Sequence, residues 1–378
     1  MKIGIYVHIP FCKSRCIYCG FYSTTKTELG DRYTDCLIKE MQIRKDKYIL
    51  SSNTHSSLNV DTIYLGGGTP STLDTHNVER IINSILSIYG GNPREITVEM
   101  NPDDITDKYV RALKSFGVNR VSMGIQTFCD ERLKFIHRRH TSAQAIRGYE
   151  TLLKNGIENV SIDLMFGFPG ETIEDWKYDI AQAVKLNPKH ISAYSLMYEE
   201  GTMLYRMLKQ HDVSQVDEEL SLEMYSSLMD KLSAYGYEHY EISNFALDGY
   251  RSIHNSSYWH DVPYIGVGAS AHSYIGKYRM WNINNIDSYM SSIESGILPI
   301  EQEFIDQDTH YNDLVTTTMR TFEGLDLNLL DDKYKEFAIE CAKNDIKNGL
   351  LELKANHLRL TRKGLFVSDM VMSDLIKI

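Results

Sequence analysis

The sequence predicts an α/β protein, a parallel sheet with helices outside it that curls towards a barrel, followed by a small, mainly helical C-terminal unit. Three observations carry that expectation. Short apolar, β-branched runs alternate with amphipathic stretches along most of the chain, the order that builds parallel sheets. The amphipathic stretches end at glycines, which suit a left-handed helix cap. Polar side chains recur at the carboxyl ends of successive strands, always on the same face.

The strands read in order as "IGIYVHI" (3–9), "DTIYLGG" (61–67), "EITVEMN" (95–101), "RVSMGIQ" (120–126), "NVSIDLMFG" (159–167) and "HISAYSLM" (190–197). Helices such as "VRALKSFG" and "AIRGYETLLKNG" lie between them. Side chains alternate along a strand, so Glu99 and Asn101 share a face, as do Ser122 and Gln126, and Ser161 and Asp163. Val98, Met100, Met123, Ile125, Ile162 and Leu164 take the opposite face. Alternation alone does not separate an open doubly wound sheet from a barrel. Apolar residues outward against helices and polar ones inward favour a barrel whose mouth is a site.

The chain has 378 residues, room for one large domain and an appendage. We expect residues 1–300 to hold the barrel and its extension, with the core barrel in about 1–235, and residues 301–378 to form the C-terminal domain. The stretch "LPIEQEFIDQDTHYN" (298–312) is polar enough for the boundary, and "LRLTRKGLFVSDMVMSDLI" reads as a short hairpin and final helix. The tail is net acidic and the whole chain carries −11, which argues against a nucleic-acid partner. No apolar run approaches the roughly 18 residues of a membrane helix, and no signal-peptide layout opens the chain. A cytoplasmic protein, or one peripheral at the membrane, is expected.

The chemistry concentrates in "HIPFCKSRCIYCGFYS" (8–23), where Cys12, Cys16 and Cys19 stand in C-x3-C-x2-C spacing. A c-type heme attachment needs His after the last cysteine, and Gly20 stands there. A thioredoxin-like dithiol uses Cys16 and Cys19 and leaves Cys12 unexplained. Closed zinc needs four ligands, with His8 as the neighbouring fourth. A [4Fe–4S] cluster with one open iron uses all three thiolates. Cys36, Cys129 and Cys341 are scattered singly and read as core residues.

C-x3-C-x2-C with Tyr18 before the last cysteine resembles the signature of the radical S-adenosylmethionine (SAM) superfamily. The phrases "YVHIPFC", "GGGTPS", "VEMNPDD", "GVNRVSMGIQTF", "IDLMFGFPGET" and "YEISNFA" resemble the branch holding the oxygen-independent coproporphyrinogen III oxidases (HemN) and the HemW heme chaperones. The resemblance spans nearly the whole chain. It implies a partial (β/α)6 TIM-like barrel of the radical SAM type with a winged-helix-like C-terminal domain. It also implies a [4Fe–4S] cluster on Cys12, Cys16 and Cys19, with SAM chelating the open iron. By position, the SAM contacts fall on Tyr6, Tyr18, Gly67, Gly68, Thr69, Glu99, Gln126, Arg138, Asp163, Met197 and His272. Several of these have a plain structural alternative. The glycines suit a tight strand–helix turn, and Arg138 in "IHRRH" reads equally as a solvated charge.

Two departures separate the members of the branch. The decarboxylating oxidases carry C-G-C after the third cluster ligand, whereas this chain reads Cys19-Gly20-Phe21. They also carry a segment before the first strand, which this sequence does not show. Both departures resemble the HemW type, as does "HNSSYW" (254–259), similar to a heme-associated HNxxYW motif. His254 is thereby the candidate heme ligand, with Tyr258 and Trp259 packing the macrocycle or filling core. The resemblance implies a heme chaperone binding heme, cluster and SAM. Its partners would be heme-accepting proteins, such as respiratory-chain hemoproteins, and an electron donor such as flavodoxin or ferredoxin. It would bind SAM without oxidising coproporphyrinogen, with reductive cleavage of SAM left open; the alternative is the oxidase itself. No catalytic residue is assigned.

Overall fold

The computed structural model describes residues 2–46 and 58–378. Strands Lys2–Ile9 (β1), Asn59–Gly67 (β2), Gly91–Met100 (β3), Arg120–Gln126 (β4), Asn159–Phe166 (β5) and His190–Ser195 (β6) stand where the sequence places them. They pair in chain order and all in parallel. Beyond β6, Glu238–Glu241 (β7) and Asn244–Ala246 (β8) fold back antiparallel. On the other edge, Tyr264–Val267 (β9) runs parallel to β1. His272–Ile275 (β10), Tyr278–Asn282 (β11) and Ile300–Phe304 (β12) continue from it antiparallel. Among the described residues these twelve strands make one sheet whose outer strands, β12 and β7, do not meet. The barrel is partial.

Helix Thr75–Tyr89 shows how local sequence builds the outer layer. The Asp74 carboxylate accepts from the Asn77 amide and caps the first turn. Val78, Ile81, Ile82, Ile85 and Tyr89 repeat at helical spacing and are buried against the sheet. Each large aliphatic side chain so buried contributes about 1.5–3 kcal/mol. The helix stops at Gly90, whose φ of +74° no β-branched residue tolerates. Reciprocal caps start two more outer helices, Thr141 with Gln144 and Thr172 with Asp175. Val98, Met100, Met123, Ile125, Ile162 and Leu164 are buried in the main core, as their parity requires.

A buried polar cluster locks the extension to the barrel. Glu40, on helix Gly30–Arg44, pairs with Arg44 at 2.7 Å and accepts from Asn282 Nδ2 and the Gly268 amide, each at 2.8 Å. The Tyr289 hydroxyl donates to the same carboxylate. Satisfied on every side, such a cluster favours one arrangement over slipped alternatives.

The C-terminal residues form a second core around Tyr311, Val315, Met319, Ala338, Leu358, Val371 and Leu375. Leu325–Asp326 (β13), Leu351–Lys354 (β14) and His357–Leu360 (β15) make a three-stranded sheet against helices Gln307–Thr318, Asp332–Lys347 and Ser368–Leu375. This is the winged-helix-like arrangement. Its hairpin turns at Ala355 and Asn356, both at positive φ, so the pair starts one strand earlier than the sequence suggested. The expected boundary at 300/301 falls inside β12, whose register with β11 keeps it in the large sheet.

Candidate functional site

The cysteine loop leaves the end of β1 and is pinned on both flanks. Thr24 donates to the Pro10 carbonyl at 2.7 Å and accepts from the Cys12 amide at 2.9 Å, closing the loop at its base. Ile17 packs with Ile136, Met165, Phe168, Leu196 and Leu204 in a small core of its own, with Tyr18 against it. Lys13 reaches Asp104 at 2.7 Å. The glycine run of β2 makes room for this loop. A Cβ on Gly68 would stand 2.8 Å from the Pro10 carbonyl carbon, and one on Gly67, at φ +112°, would strike the His8 ring. Glycine is therefore required here by loop packing, beside any role in ligand approach.

A cavity of about 420 Å³ opens at the barrel mouth. Twelve of the sequence-assigned residues line it: Cys12, Cys16 and Cys19 at the rim, Tyr18, Gly67, Gly68 and Thr69 beside them, then Glu99, Gln126, Arg138, Asp163 and Met197. Arg138 is no free surface charge. Its guanidinium meets Cys16 Sγ at 3.8 Å and Asn101 Oδ1 at 2.7 Å, and donates to the Gly124 carbonyl. Gln126 arrives by a local irregularity, since the β4–β5 register shifts between Gly124 and Gln126 and Gln126 sits at φ +71°.

Burial raises the thiols of Cys12 and Cys19, the latter to about 11, so the unmetallated loop holds these groups protonated. Among the described residues no set of three His, Cys, Asp or Glu side chains is close enough for a single metal ion. Thiolates around an iron–sulfur cube stand further apart, and three half-buried free cysteines on one anchored loop, with a cation beside Cys16, suit that group. Enclosure raises Glu99 to about 7, with Asp163 adding to the shift. The Tyr64 hydroxyl at 2.7 Å and the Gly67 amide at 3.1 Å oppose it. Burial raises Asp163 as well, although Ser122 donates to it at 3.2 Å.

Tyr6 and His272 do not line that cavity. They belong to a second one, of about 550 Å³, lined from β1 itself together with Tyr258 and Trp259. Its wall is aromatic, adding Phe21, Tyr22, Tyr264 and Tyr274. Phe21, 70% exposed, lines both cavities.

His254 lines neither. It is 1% exposed on the short helix Ile253–Trp259, with Nδ1 hydrogen-bonded to Thr62 Oγ1 and Nε2 to the Tyr258 hydroxyl, each at 2.8 Å. Its ring stacks on Tyr64 at 5.1 Å and meets Tyr258 edge-on at 5.2 Å. Burial, then Arg120, lowers its pKa to about 3. Tyr64, Arg120, Ser192, Tyr194 and Asn255 line the first cavity without having been singled out from sequence. Tyr64 was within reach, since it shares the inward parity of Gly66 in "DTIYLGG". Asn255 was not, because only the fold brings its helix to the barrel.

The Radical SAM superfamily model matches residues 6–183. The "Heme chaperone HemW" of Lactococcus lactis is 34% identical over 87% of this chain and 84% of its own length. That of Bacillus subtilis is 36% identical over 86% of this chain and 82% of its own. The solved structure of coproporphyrinogen III oxidase (HemN) from Escherichia coli superposes with a TM-score of 0.84 over 99% of this chain and 89% of that one, at 21% identity, a likeness of fold. With its cysteine loop, parallel partial barrel and winged-helix-like tail, the chain belongs to the HemW heme chaperone family of the radical SAM superfamily.

Proposed function

We propose that this protein is a heme chaperone that binds heme, a [4Fe–4S] cluster and SAM, and hands heme to acceptor hemoproteins. The observation that carries the reading is identity above 30%, across more than four-fifths of both chains, with two proteins named heme chaperones. Phe21, where the decarboxylating relatives place a further cysteine, supports it.

Cys12, Cys16 and Cys19 would hold the cluster, and the cavity from Gly67 to Asp163 would hold SAM. When bound, that pair supplies one-electron chemistry at the barrel mouth. The chain's own residues enclose it. Arg138 ties the cysteine loop to Asn101 and the β4 end, and Glu99 waits as a carboxyl poised near neutrality. An electron donor such as flavodoxin or ferredoxin, respiratory-chain hemoproteins as acceptors, and a cytoplasmic or peripheral-membrane location complete the reading. No helix among the described residues is long and apolar enough to cross a membrane.

The test is anaerobic reconstitution, iron and sulfide analysis, then heme titration and transfer to an apo-hemoprotein. Stoichiometric heme uptake and release to the acceptor is the expected result; no uptake overturns the proposal. The likeness of fold to HemN favours a second reading, oxygen-independent coproporphyrinogen III oxidase. Robust protoporphyrinogen formation from coproporphyrinogen III with SAM and reductant, without oxygen, would decide for it.

A further inference from the structure

The heme-associated motif does not present its histidine to either cavity. His254 has both ring nitrogens engaged and lies behind Tyr258. To ligate an iron in the second cavity, its ring would have to break its hydrogen bond to Tyr258, pass that side chain and leave the buried Thr62 hydroxyl without its partner. Tyr258 and Trp259 of the motif line the second cavity, whereas Asn255 lines the first.

That cavity has the size and chemistry for a flat, largely apolar ligand. About 550 Å³ falls within the range of small-molecule sites, roughly 300–1,000 Å³, and aromatic rings dominate the wall. Tyr258 and Tyr264 meet edge-on at 4.6 Å, fixing one side. Two imidazoles reach the cavity. His8 is 5% exposed and fully engaged, Nδ1 with the Tyr6 hydroxyl and Nε2 with the Tyr22 carbonyl, both at 3.0 Å. His272 is different. It is exposed on β10, its ring stacks on Trp281 at 6.1 Å, and among the described residues neither ring nitrogen makes a hydrogen bond. Partial burial, then Arg279, lowers its pKa, which keeps the imidazole in the neutral form that ligates iron. The tyrosines of the wall compete poorly as ligands, because burial raises Tyr6, Tyr258, Tyr264 and Tyr274 away from phenolate.

We propose that the cavity bounded by Tyr6, Tyr258, Trp259, Tyr264 and His272 seats the macrocycle, with His272 as the protein ligand to iron and His254 as the positioning residue that fixes Tyr258. The inference rests on the heme-handling reading above and assigns its site. It gives the two histidines distinct signatures. His272 sets the ligand field; His254 sets the wall.

The experiment is a titration of the reconstituted full-length protein with hemin, followed by absorbance and low-temperature EPR. Wild type is compared with His272→Ala, His254→Ala and His254→Gln. His272→Ala is expected to lose the imidazole-ligated spectrum and at least tenfold in affinity, with the spectrum restored by added imidazole. His254→Ala is expected to keep the wild-type spectrum and lose affinity a few-fold, with partial recovery in His254→Gln. A wild-type spectrum in His272→Ala, or loss of ligation in His254→Ala alone, overturns the assignment while leaving heme binding intact. Absence of stoichiometric hemin binding in wild type overturns the heme-handling reading itself.

Discussion

The two cavities are adjacent, one lined from Tyr64 on β2 and the other from Tyr6 opposite it on β1, and they differ in almost everything that matters chemically. The first is framed by carboxyls and hydroxyls aimed inward from parallel strands, by the thiols of the cysteine loop and by the Arg138 guanidinium. The second is walled by aromatic rings from β1, the cysteine loop, the helix Ile253–Trp259 and the extension. The first is built to position charge, the second to hold a flat surface. A column of rings joins them: Tyr64 in the first cavity, buried His254, then Tyr258 and Tyr264 in the second. Phe21 touches both from the solvent side. The contrast teaches that a motif can serve a site it does not enter, since His254 couples the walls of two cavities and lines neither.

The largest effect expected is all-or-none. Cys16→Ser removes one of the three thiols of the cysteine loop, and anaerobically reconstituted protein should contain little iron or sulfide. Hemin affinity in the same variant should stay within about twofold of wild type if the cavities act separately. A parallel collapse of both would break the comparison.

Tyr258→Phe strikes the column. It leaves His254 Nε2 buried without a partner, and urea denaturation should report a loss of about 1–3 kcal/mol. A loss below about 0.5 kcal/mol would mean that the hydrogen bond holds nothing in place.

Glu99 tests the first cavity through pH. Its carboxyl, raised to about 7, is neutral in the free protein below that value and ionised above it. If SAM engages it as a carboxylate, affinity falls as pH drops, since binding must first expel a proton. Titration calorimetry should show SAM affinity rising about tenfold from pH 6 to 8, with a flat profile in Glu99→Gln. An unchanged slope in the variant would remove Glu99 from the SAM contacts.

The smallest effect concerns the shared wall. Phe21 is exposed, so Phe21→Ser should change stability by less than about 0.5 kcal/mol. It should still weaken both SAM and hemin binding about two- to threefold. A shift in only one titration would assign Phe21 to that cavity alone.

Much of the first cavity was legible because strand periodicity and strand-end placement are local properties. Glu99 and Asp163 reach the cavity by parity alone, and the cysteine spacing belongs to a single loop. Gln126 shows where parity runs short, because it enters through a shifted register that no alternation rule reports. The glycine run had two readings in the sequence, turn or ligand approach. The structure adds a third cause, the packing of the cysteine loop against Gly67 and Gly68.

By itself the sequence determined the alternation of strands and helices that makes a parallel sheet, the cysteine loop with its missing fourth ligand, and the family, since each is carried by short local stretches of the chain. Tertiary structure alone decided that Tyr6 and His272 leave the barrel mouth for a second cavity and that His254 is enclosed. Those outcomes turn on β9 pairing beside β1 across more than 250 residues of chain, with Tyr6 opposite Gly266. A contact of that span is set by how the whole sheet closes, and no local pattern encodes it.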